Sequence, residues 1–317
     1  MSAVTVLDPR EVPLGGLRAM KVRRTLPHKD ISLIGAWCFV DHYGPTRVGV
    51  DGPGMDVAPH PHTGLQTVSW LFEGTIEHRD SGGVHGLVRP GEMNLMTGGS
   101  GICHSEVTTP ETTVLHGVQL WLALPDSARH APRDFDHYEP TPAELPTVAG
   151  QATARVFIGQ LPALPEAASP VVVHTPLLGA ELVLAPGTAL SLDLDPSFEH
   201  GILLDTGSLT LACDDGRATP VAEAELAVID SGATSLGLTA GPDGARALLL
   251  GGTPFEEEII MWWNFVGRTS DEIKAFRDEW EAGAERFGHV EGYVGERDRI
   301  PAPALPGVKL RSRRRRR

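Results

Sequence analysis

Two short segments of this chain carry side chains that commonly bind metals. His60 and His62 lie two residues apart, and His104 and Glu106 repeat that spacing. Residues two apart on a strand point to the same face of a sheet. On neighbouring strands the two pairs would aim three imidazoles and one carboxylate at one point, a set that suits Fe(II), Mn(II), Ni(II), Cu(II) or Zn(II). One histidine pair would be unremarkable among 13 histidines, but the joint pattern predicts a metal site with positions left for water or substrate.

The segments around these residues have the pattern of short strands joined by glycine turns. Residues 66–72 (QTVSWLF) are rich in β-branched and aromatic side chains and end at a Glu-Gly turn. The glycine-rich run 98–101 precedes His104 and lets the backbone turn tightly there. Residues 114–124 (VLHGVQLWLAL) form a long apolar run. Strands of this length and spacing predict a β-sandwich or a barrel of the jelly-roll kind.

The second half of the chain repeats the strand-and-turn pattern. Residues 150–255 contain several short apolar runs separated by turns, which indicates a second β domain. The stretch 140–170 is rich in Pro, Ala and Thr, a composition typical of a connection between domains. The sequence therefore favours two similar β domains in tandem.

One helix is predicted near the end of the chain. Thr269 and Glu272 form a capping-box motif, which marks a helix start. We expect the helix to run to about Arg286 and to stop at Gly288. Its apolar face should pack on a barrel, and that face consists of Ile273, Phe276 and Trp280.

The motifs around the predicted metal site resemble those of the pirin family within the cupin superfamily. Gly54-x5-His60-x-His62 is similar to the first cupin motif, and Gly91-x9-Gly101-x2-His104 to a stretched second motif. The likeness to pirins covers roughly residues 15–125. It is carried by VRRTLP at 22–27, FVDHYGP at 39–45, HPHTG at 60–64, EG at 73–74, HRDS at 78–81 and MTGGSGICHSE at 96–106.

The resemblance implies a bicupin, an all-β chain with two tandem cupin (jelly-roll β-barrel) domains and a C-terminal α-helix. It also implies one metal, usually iron, in the N-terminal barrel. The family's ligands fall on His60, His62, His104 and Glu106. Gln66 stands where many other cupins have a glutamate ligand, and pirins do not use that position. The second barrel lacks both motifs, so we expect it to bind no metal and its His174 and His200 to be satisfied or at the surface.

We divide the chain accordingly into four segments. Residues 1–140 form the metal-binding cupin barrel, and residues 141–255 a degenerate second cupin barrel. Residues 256–290 form a helical segment packed on the barrels, and residues 300–317 a flexible basic tail.

Charge and composition exclude several classes of partner. The net charge of the 317 residues is −14, although six arginines stand among the last seven residues. An acidic surface repels phosphate, so we do not expect nucleic-acid binding and interpret the arginine run as solvated. No apolar run reaches the length of a membrane span. The start of the chain lacks a signal-peptide pattern, and the three cysteines lie far apart, which favours reduced thiols in a cytoplasmic protein.

Other residues near the motifs receive structural interpretations. Strand alternation should turn Cys103 away from the metal, as a buried thiol. We interpret His78, His85 and His116 as structural, and the aromatic cluster at 262–265 as packing between the helix and a barrel.

The resemblance implies two functions for the metal site. Bacterial pirins are similar to quercetin 2,3-dioxygenases, so the first hypothesis is a metal-dependent dioxygenase that cleaves the central ring of a flavonol-like substrate with O2 and releases carbon monoxide. Glu106 would be both a ligand and the candidate base for the flavonol 3-hydroxyl. The alternative is an iron-dependent redox-sensing regulatory protein that binds a protein partner without turnover. The third hypothesis is a metal-binding barrel whose substrate is not a flavonol. In each case we expect a monomer with one divalent transition metal, Fe(II) before Mn, Ni, Cu or Zn.

Overall fold

Antiparallel strands account for most of the chain. The computed structural model describes residues 4–14, 20–52, 54–213, 216–295 and 297–315. Up to Tyr138 the strands are β1 (Val4–Leu7), β2 (Arg10–Pro13), β3 (Lys21–Leu26), β4 (Trp37–Arg47), β5 (Asp56–His62), β6 (Leu65–Glu73), β7 (Ile76–Asp80), β8 (His85–Val88), β9 (Met93–Thr97), β10 (Ile102–Thr108), β11 (Val114–Ala123) and β12 (Asp134–Tyr138). The predicted strands at 66–72 and 114–124 are therefore present as β6 and β11.

The remaining elements of the described residues are ten strands, a short 3-10 helix (Pro165–Ala167) and one α-helix. They are β13 (Ala143–Glu144), β14 (Ala152–Ile158), β15 (Leu177–Leu184), β16 (Ala189–Asp193), β17 (Glu199–Ala212), β18 (Ala218–Val221), β19 (Leu226–Ile229), β20 (Ser235–Gly252), β21 (Ile260–Trp262), β22 (Phe265–Gly267) and α1 (Ser270–Glu281). This is the predicted all-β architecture with a C-terminal helix. Within the described parts of the chain, no helix is long and apolar enough to cross a membrane.

Chain contacts divide the protein into two units. Unit 1 contains residues 4–10, Arg23–Cys38 and Tyr138–Phe255. Its sheet has the order β1-β19-β17-β20-β15-β14-β13, with β16 paired to β20 and β18 to β17. Every strand from β14 to β20 contributes side chains to one leucine- and alanine-rich core. The sheet of unit 1 therefore wraps around a single apolar interior, as in a cupin barrel.

Unit 2 contains two sheets that face each other. It consists of the described residues of Glu11–Val22, Phe39–His137 and Glu256–Arg317. One sheet includes the run β12-β9-β6-β11-β4, and the other has the order β5-β10-β7-β8. Their inner faces share a core that includes Tyr43, Leu71 and Leu115 from the first sheet and Val57, Ile76 and Val88 from the second. Side chains on the inner face of the four-stranded sheet therefore point into the interior of unit 2.

The helix of unit 2 begins as predicted and ends earlier than predicted. The Thr269 side chain accepts a hydrogen bond from the Glu272 N–H, and the Glu272 carboxylate accepts one from the Thr269 N–H, which completes the capping box. The helix ends at Glu281 rather than near Arg286. Gly283, with φ of 68°, follows the C-cap residue and adopts the left-handed conformation that stops helices.

The apolar face of α1 packs as the sequence predicts. Ile273, Phe276 and Trp280 are buried in a cluster with Phe265, and Trp262 and Trp263 pack against that cluster. The cluster also includes Cys103 of β10, so it joins the helix to the outer side of the four-stranded sheet.

The chain after residue 299 contacts the rest of unit 2 through its described residues. The Ile300 N–H donates to the Pro59 carbonyl at 2.8 Å. Arg313 forms an antiparallel bridge with Ile259, and Arg314 forms an ion pair with Glu258. The expected flexible tail thus makes specific contacts as far as residue 314, whereas Arg316 and Arg317 lie outside the described residues.

Candidate metal centre

Strands β5 and β10 bring the two sequence motifs together. The strands are antiparallel, with His104 directly opposite His60 and Ile102 opposite His62. Because cross-strand partners share a face, as do residues two apart, the side chains of His60, His62 and His104 all point into unit 2. All three are buried, with exposed fractions of 6%, 1% and 1%.

A local irregularity in β5 sets the position of the first ligand. The register shifts after His104, so that Glu106 pairs with Val57 and two residues, Ala58 and Pro59, lie opposite Ser105. Such a bulge bends a strand and re-aims its side chains. The Ala58 carbonyl accepts a hydrogen bond from Nδ1 of His60 at 3.0 Å. The bulge therefore also fixes the orientation of the His60 ring.

The proline between the two histidines is compatible with the position of β5. The sheet order β5-β10-β7-β8 places β5 at an edge. A proline has no N–H to donate to a neighbouring strand, so edge strands tolerate it far better than central strands do. Pro59 and Pro61 can therefore flank His60 without disrupting the sheet.

The three imidazoles converge on one point. One nitrogen from each ring lies within 4.8 Å of the others. The Nε2 atoms of His62 and His104 are 3.1 Å apart, and the ring centres of His60 and His104 are 4.3 Å apart. Nitrogens bound to one metal at about 2.1 Å and at right angles would lie about 3.0 Å apart. The spacing of His62 and His104 thus fits a shared metal ion.

Burial keeps these histidines neutral. It lowers the pKa of His60 to about 4 and the pKa values of His62 and His104 well below the ordinary histidine value. A neutral imidazole has one nitrogen with a free lone pair, which is the form that binds metals. In His60 the Nδ1 proton is donated to Ala58, so the lone pair is on Nε2. The donor set therefore fits a divalent transition metal without prior loss of protons.

Glu106 is buried on the same face of β10 as His104 but lies outside the cluster of the three histidines. Its carboxylate lies 3.4 Å from the Ser69 hydroxyl, and the group of atoms within 4.8 Å of one another contains the three histidines without it. Burial raises the pKa of Glu106, and the nearby His78 and the Ser69 hydroxyl offset part of that rise. Its carboxylate is thus a stronger base than an exposed glutamate.

The facing sheet provides polar and aromatic neighbours. The Ser69 hydroxyl is also 3.0 Å from Oε1 of Gln119, and a hydroxyl can donate its one proton to only one acceptor at a time. Trp121 meets the His62 ring edge-on at 5.2 Å, and Phe39 stacks on Trp121 at 3.9 Å. Gln66 lies outside the histidine cluster and donates to the Thr97 hydroxyl at 3.0 Å.

Strand β7 contributes two further side chains that the sequence analysis did not assign to the site. In the pairing of β10 with β7, Asp80 is opposite His104 and His78 is opposite Glu106. His78 Nε2 is 3.0 Å from Asp80 Oδ2, and His78 Nδ1 is 3.4 Å from His104 Nδ1. The signal was present in the sequence, because His78 and Asp80 have the same two-residue spacing as the predicted ligand pairs.

The remaining predicted residues have distinct environments. Cys103 packs in the helix cluster on the outer side of β10, and burial raises the pKa of its thiol to about 11, in agreement with the prediction of a buried structural thiol. The exposed His85 pairs with Glu77 at 3.3 Å. His116 Nε2 lies 3.3 Å from His42 Nε2, and both rings are buried.

The expectation for His200 in unit 1 was wrong. His200 is buried, with 1% of its surface exposed, and its Nδ1 has no hydrogen-bond partner in the described part of the chain. It lines a cavity of about 400 Å³ together with Phe198 and Leu178. Burial lowers its pKa to about 4, which the nearby Asp195 only partly offsets. Strand alternation alone did not reveal that this histidine faces inward.

Comparison with known proteins identifies relatives along most of the chain. The pirin family model matches residues 18–122, and the model of the pirin C-terminal cupin domain matches residues 179–288. A relative from Pseudomonas aeruginosa, named "Putative quercetin 2,3-dioxygenase", is 41% identical over 297 residues, which cover 94% of this chain and 89% of the relative. Human pirin is 27% identical over 80% of this chain and 83% of its own length.

A solved structure has the same architecture. The crystal structure of quercetin 2,3-dioxygenase from Acinetobacter baumannii is 39% identical and superposes with a TM-score of 0.85, covering 98% of this chain and 97% of that protein. The two family models and this structure match both of the cupin domains that the sequence predicts. The chain belongs to the pirin family.

Proposed function

We propose that this pirin is a metal-dependent dioxygenase of the quercetin 2,3-dioxygenase type. The convergence of three buried, neutral imidazoles inside unit 2 is the observation that carries the proposal. The names of the Pseudomonas and Acinetobacter relatives indicate the substrate class, a flavonol, with O2 as co-substrate. We assign His60, His62, His104 and Glu106 as the ligands of one divalent transition metal, with Fe(II) as the first candidate.

The domain assignment follows from the same proposal. We assign metal binding to the barrel of residues 1–140 and a supporting role to the barrel of residues 141–255. The segments 256–290 and 300–317 would take no part in the reaction.

A metal bound at this site would supply Lewis acidity and one-electron redox chemistry to an organic substrate and O2. The side chains of the chain prepare the substrate for that chemistry. Glu106 can take the proton of the flavonol 3-hydroxyl on a carboxylate oxygen, because burial makes it more basic than an ordinary glutamate. The Ser69 hydroxyl, 3.4 Å away, can then donate to Gln119 rather than to the newly protonated acid.

The aromatic residues of the facing sheet define the other side of the site. Trp121 lies edge-on to His62 and is backed by the stacked ring of Phe39. Apolar walls with a few placed polar groups are typical of sites for small aromatic ligands. Central-ring cleavage of a flavonol with loss of carbon monoxide is the reaction that this arrangement supports.

One observation favours the alternative, a redox-sensing regulatory protein. The proposed ligands are nearly inaccessible, with exposed fractions between 1% and 6%. An enzyme must admit an organic molecule to the metal, whereas a regulator needs only a partner surface beside it. Turnover therefore distinguishes the two functions.

The test is quercetin consumption under air by Fe(II)-reconstituted protein, followed by absorbance. The comparison variant is His104→Ala, and the matched control is His85→Ala, since His85 is exposed and pairs with Glu77. We expect turnover by the wild type and by the control but none by His104→Ala. No turnover by protein shown to hold about one metal per chain would refute the quercetinase function and favour the regulator.

A further inference from the structure

We propose that Asp80 and His78 are positioning residues that hold His104 in the tautomer required for metal binding. The inference rests on the metal site described above. It adds a role for β7, a strand that carries none of the proposed metal ligands. The three side chains form a line from a carboxylate through two imidazoles to the proposed metal position.

The line begins at a carboxylate whose two oxygens both accept hydrogen bonds. Oδ1 of Asp80 accepts the main-chain N–H of Gly82 at 2.7 Å and that of Val84 at 3.2 Å. Oδ2 is 3.0 Å from Nε2 of His78. A carboxylate can only accept, so the His78 proton is on Nε2.

This assignment determines the tautomer of the next ring. We take His78 as the neutral ring with a single proton, so that its Nδ1 has a lone pair and accepts. Its neighbour at 3.4 Å is Nδ1 of His104, which must therefore carry the proton of that ring. Nε2 of His104 is then left with a lone pair, directed to the point that it shares with Nε2 of His62, 3.1 Å away.

The opposite tautomer would block the site. A proton on Nε2 of His104 would be donated to His62, and neither nitrogen would then be free for a metal. The same problem is solved differently at His60, where the Ala58 carbonyl accepts the Nδ1 proton. Partners of this kind behind a ligating histidine typically contribute 10- to 100-fold to metal affinity.

The line is protected from competing water. His78 and Asp80 are each 3% exposed and His104 is 1% exposed. Phe135 also packs on the His78 ring, with ring centres 4.9 Å apart. Without water as an alternative partner, the donors and acceptors along the line must satisfy one another.

The decisive variant is Asp80→Asn. The two N–H groups of the turn must still be accepted by the side-chain oxygen, so the amide nitrogen would face His78. It would donate to Nε2 of His78, place that ring's proton on Nδ1 and drive the His104 proton onto Nε2. The matched control is Glu77→Gln, which makes the same change of carboxylate to amide on β7, at a residue that contacts the exposed His85 of β8.

Two measurements test the proposal. Long-range ¹H–¹⁵N NMR on metal-free protein reports which nitrogen of His104 carries the proton, and chelator competition reports Zn(II) affinity. We expect Nδ1–H in the wild type and in Glu77→Gln, Nε2–H in Asp80→Asn, and about 10- to 100-fold weaker zinc binding only in Asp80→Asn.

The outcomes separate this proposal from the metal site itself. Nε2–H on His104 in the wild type would overturn the positioning role, even if Asp80→Asn failed to fold. Unchanged zinc affinity in a folded Asp80→Asn protein would overturn it as well. If the wild type bound no zinc, the metal site would be wrong, whereas the tautomer in metal-free protein would still decide the positioning role.

Discussion

The affinity of the proposed site for a metal should depend only weakly on pH. A histidine with an ordinary pKa near 6.5 is only about 3% neutral at pH 5. Three such ligands would together reduce metal affinity by a factor on the order of 10⁴ between pH 8 and pH 5. In this structure burial lowers the pKa of His60 to about 4, so that this ring is still about nine-tenths neutral at pH 5.

The other histidines strengthen that expectation, and Glu106 sets the residual dependence. The pKa values of His62 and His104 are also lowered by burial. Burial raises the pKa of Glu106, so protons compete with the metal for this ligand as the pH falls through that value. One competing proton weakens binding at most about tenfold per pH unit.

The assay is Zn(II) affinity by chelator competition at intervals between pH 8 and pH 5. We expect a slope of no more than one proton per metal for the wild type. Glu106→Gln should bind more weakly at pH 8 but show a nearly flat profile. A slope of two or three protons with a midpoint near 6.5 would refute the reasoning, because it would mean that the histidines titrate as if exposed.

Three further predictions concern stability. The pKa of His200 is about 6.5 in the unfolded chain and about 4 in the folded one, so the unfolded state binds more protons between these pH values. Acidification from pH 6.5 to pH 4 should therefore lower the free energy of unfolding by up to about 3 kcal/mol. His200→Phe should remove that part of the pH dependence, as measured by urea unfolding. Thr269→Ala should lower the free energy of unfolding by about 1 kcal/mol through loss of the capping box, and an unchanged Tm would contradict this. Gly49→Ala, at a position with open space around it, should destabilise the protein by the roughly 1–2 kcal/mol of backbone strain alone. Gly64 has φ of 67°, and a new Cβ there would lie 2.3 Å from the Val266 carbonyl oxygen, so Gly64→Ala should destabilise the protein clearly more. Equal losses of unfolding free energy in the two variants would show that the close approach does not matter.

The sequence predicted the parts of the site that depend on local geometry. His60 and His62 could be placed on one face, and so could His104 and Glu106, because strand alternation relates residues that are near in sequence. His78 and Asp80 obey the same alternation, but their strand had to be placed beside β10 before their position could be recognised. Spacing alone therefore identifies which side chains share a face but not which strands are neighbours.

Features that depend on tertiary packing could not be predicted. Ser69 reaches Glu106 from the opposite sheet and also contacts Gln119, which requires the two sheets to be in a particular alignment. The helix stops at Glu281 because the first suitable glycine is Gly283, whereas the prediction chose the later Gly288. The inward direction of His200 likewise depends on which face of β17 the core covers.

The alternation of β10 has a consequence for the durability of the protein. His104 points into the barrel, while the adjacent Cys103 points outward into the helix cluster. Thiolates are oxidised far more readily than thiols, and a pKa of about 11 keeps this sulfur protonated. The strand itself thus separates this thiol from the place where the proposed reaction with O2 would occur. Under the proposed dioxygenase function, O2 would react one residue away from Cys103 without oxidising its thiol.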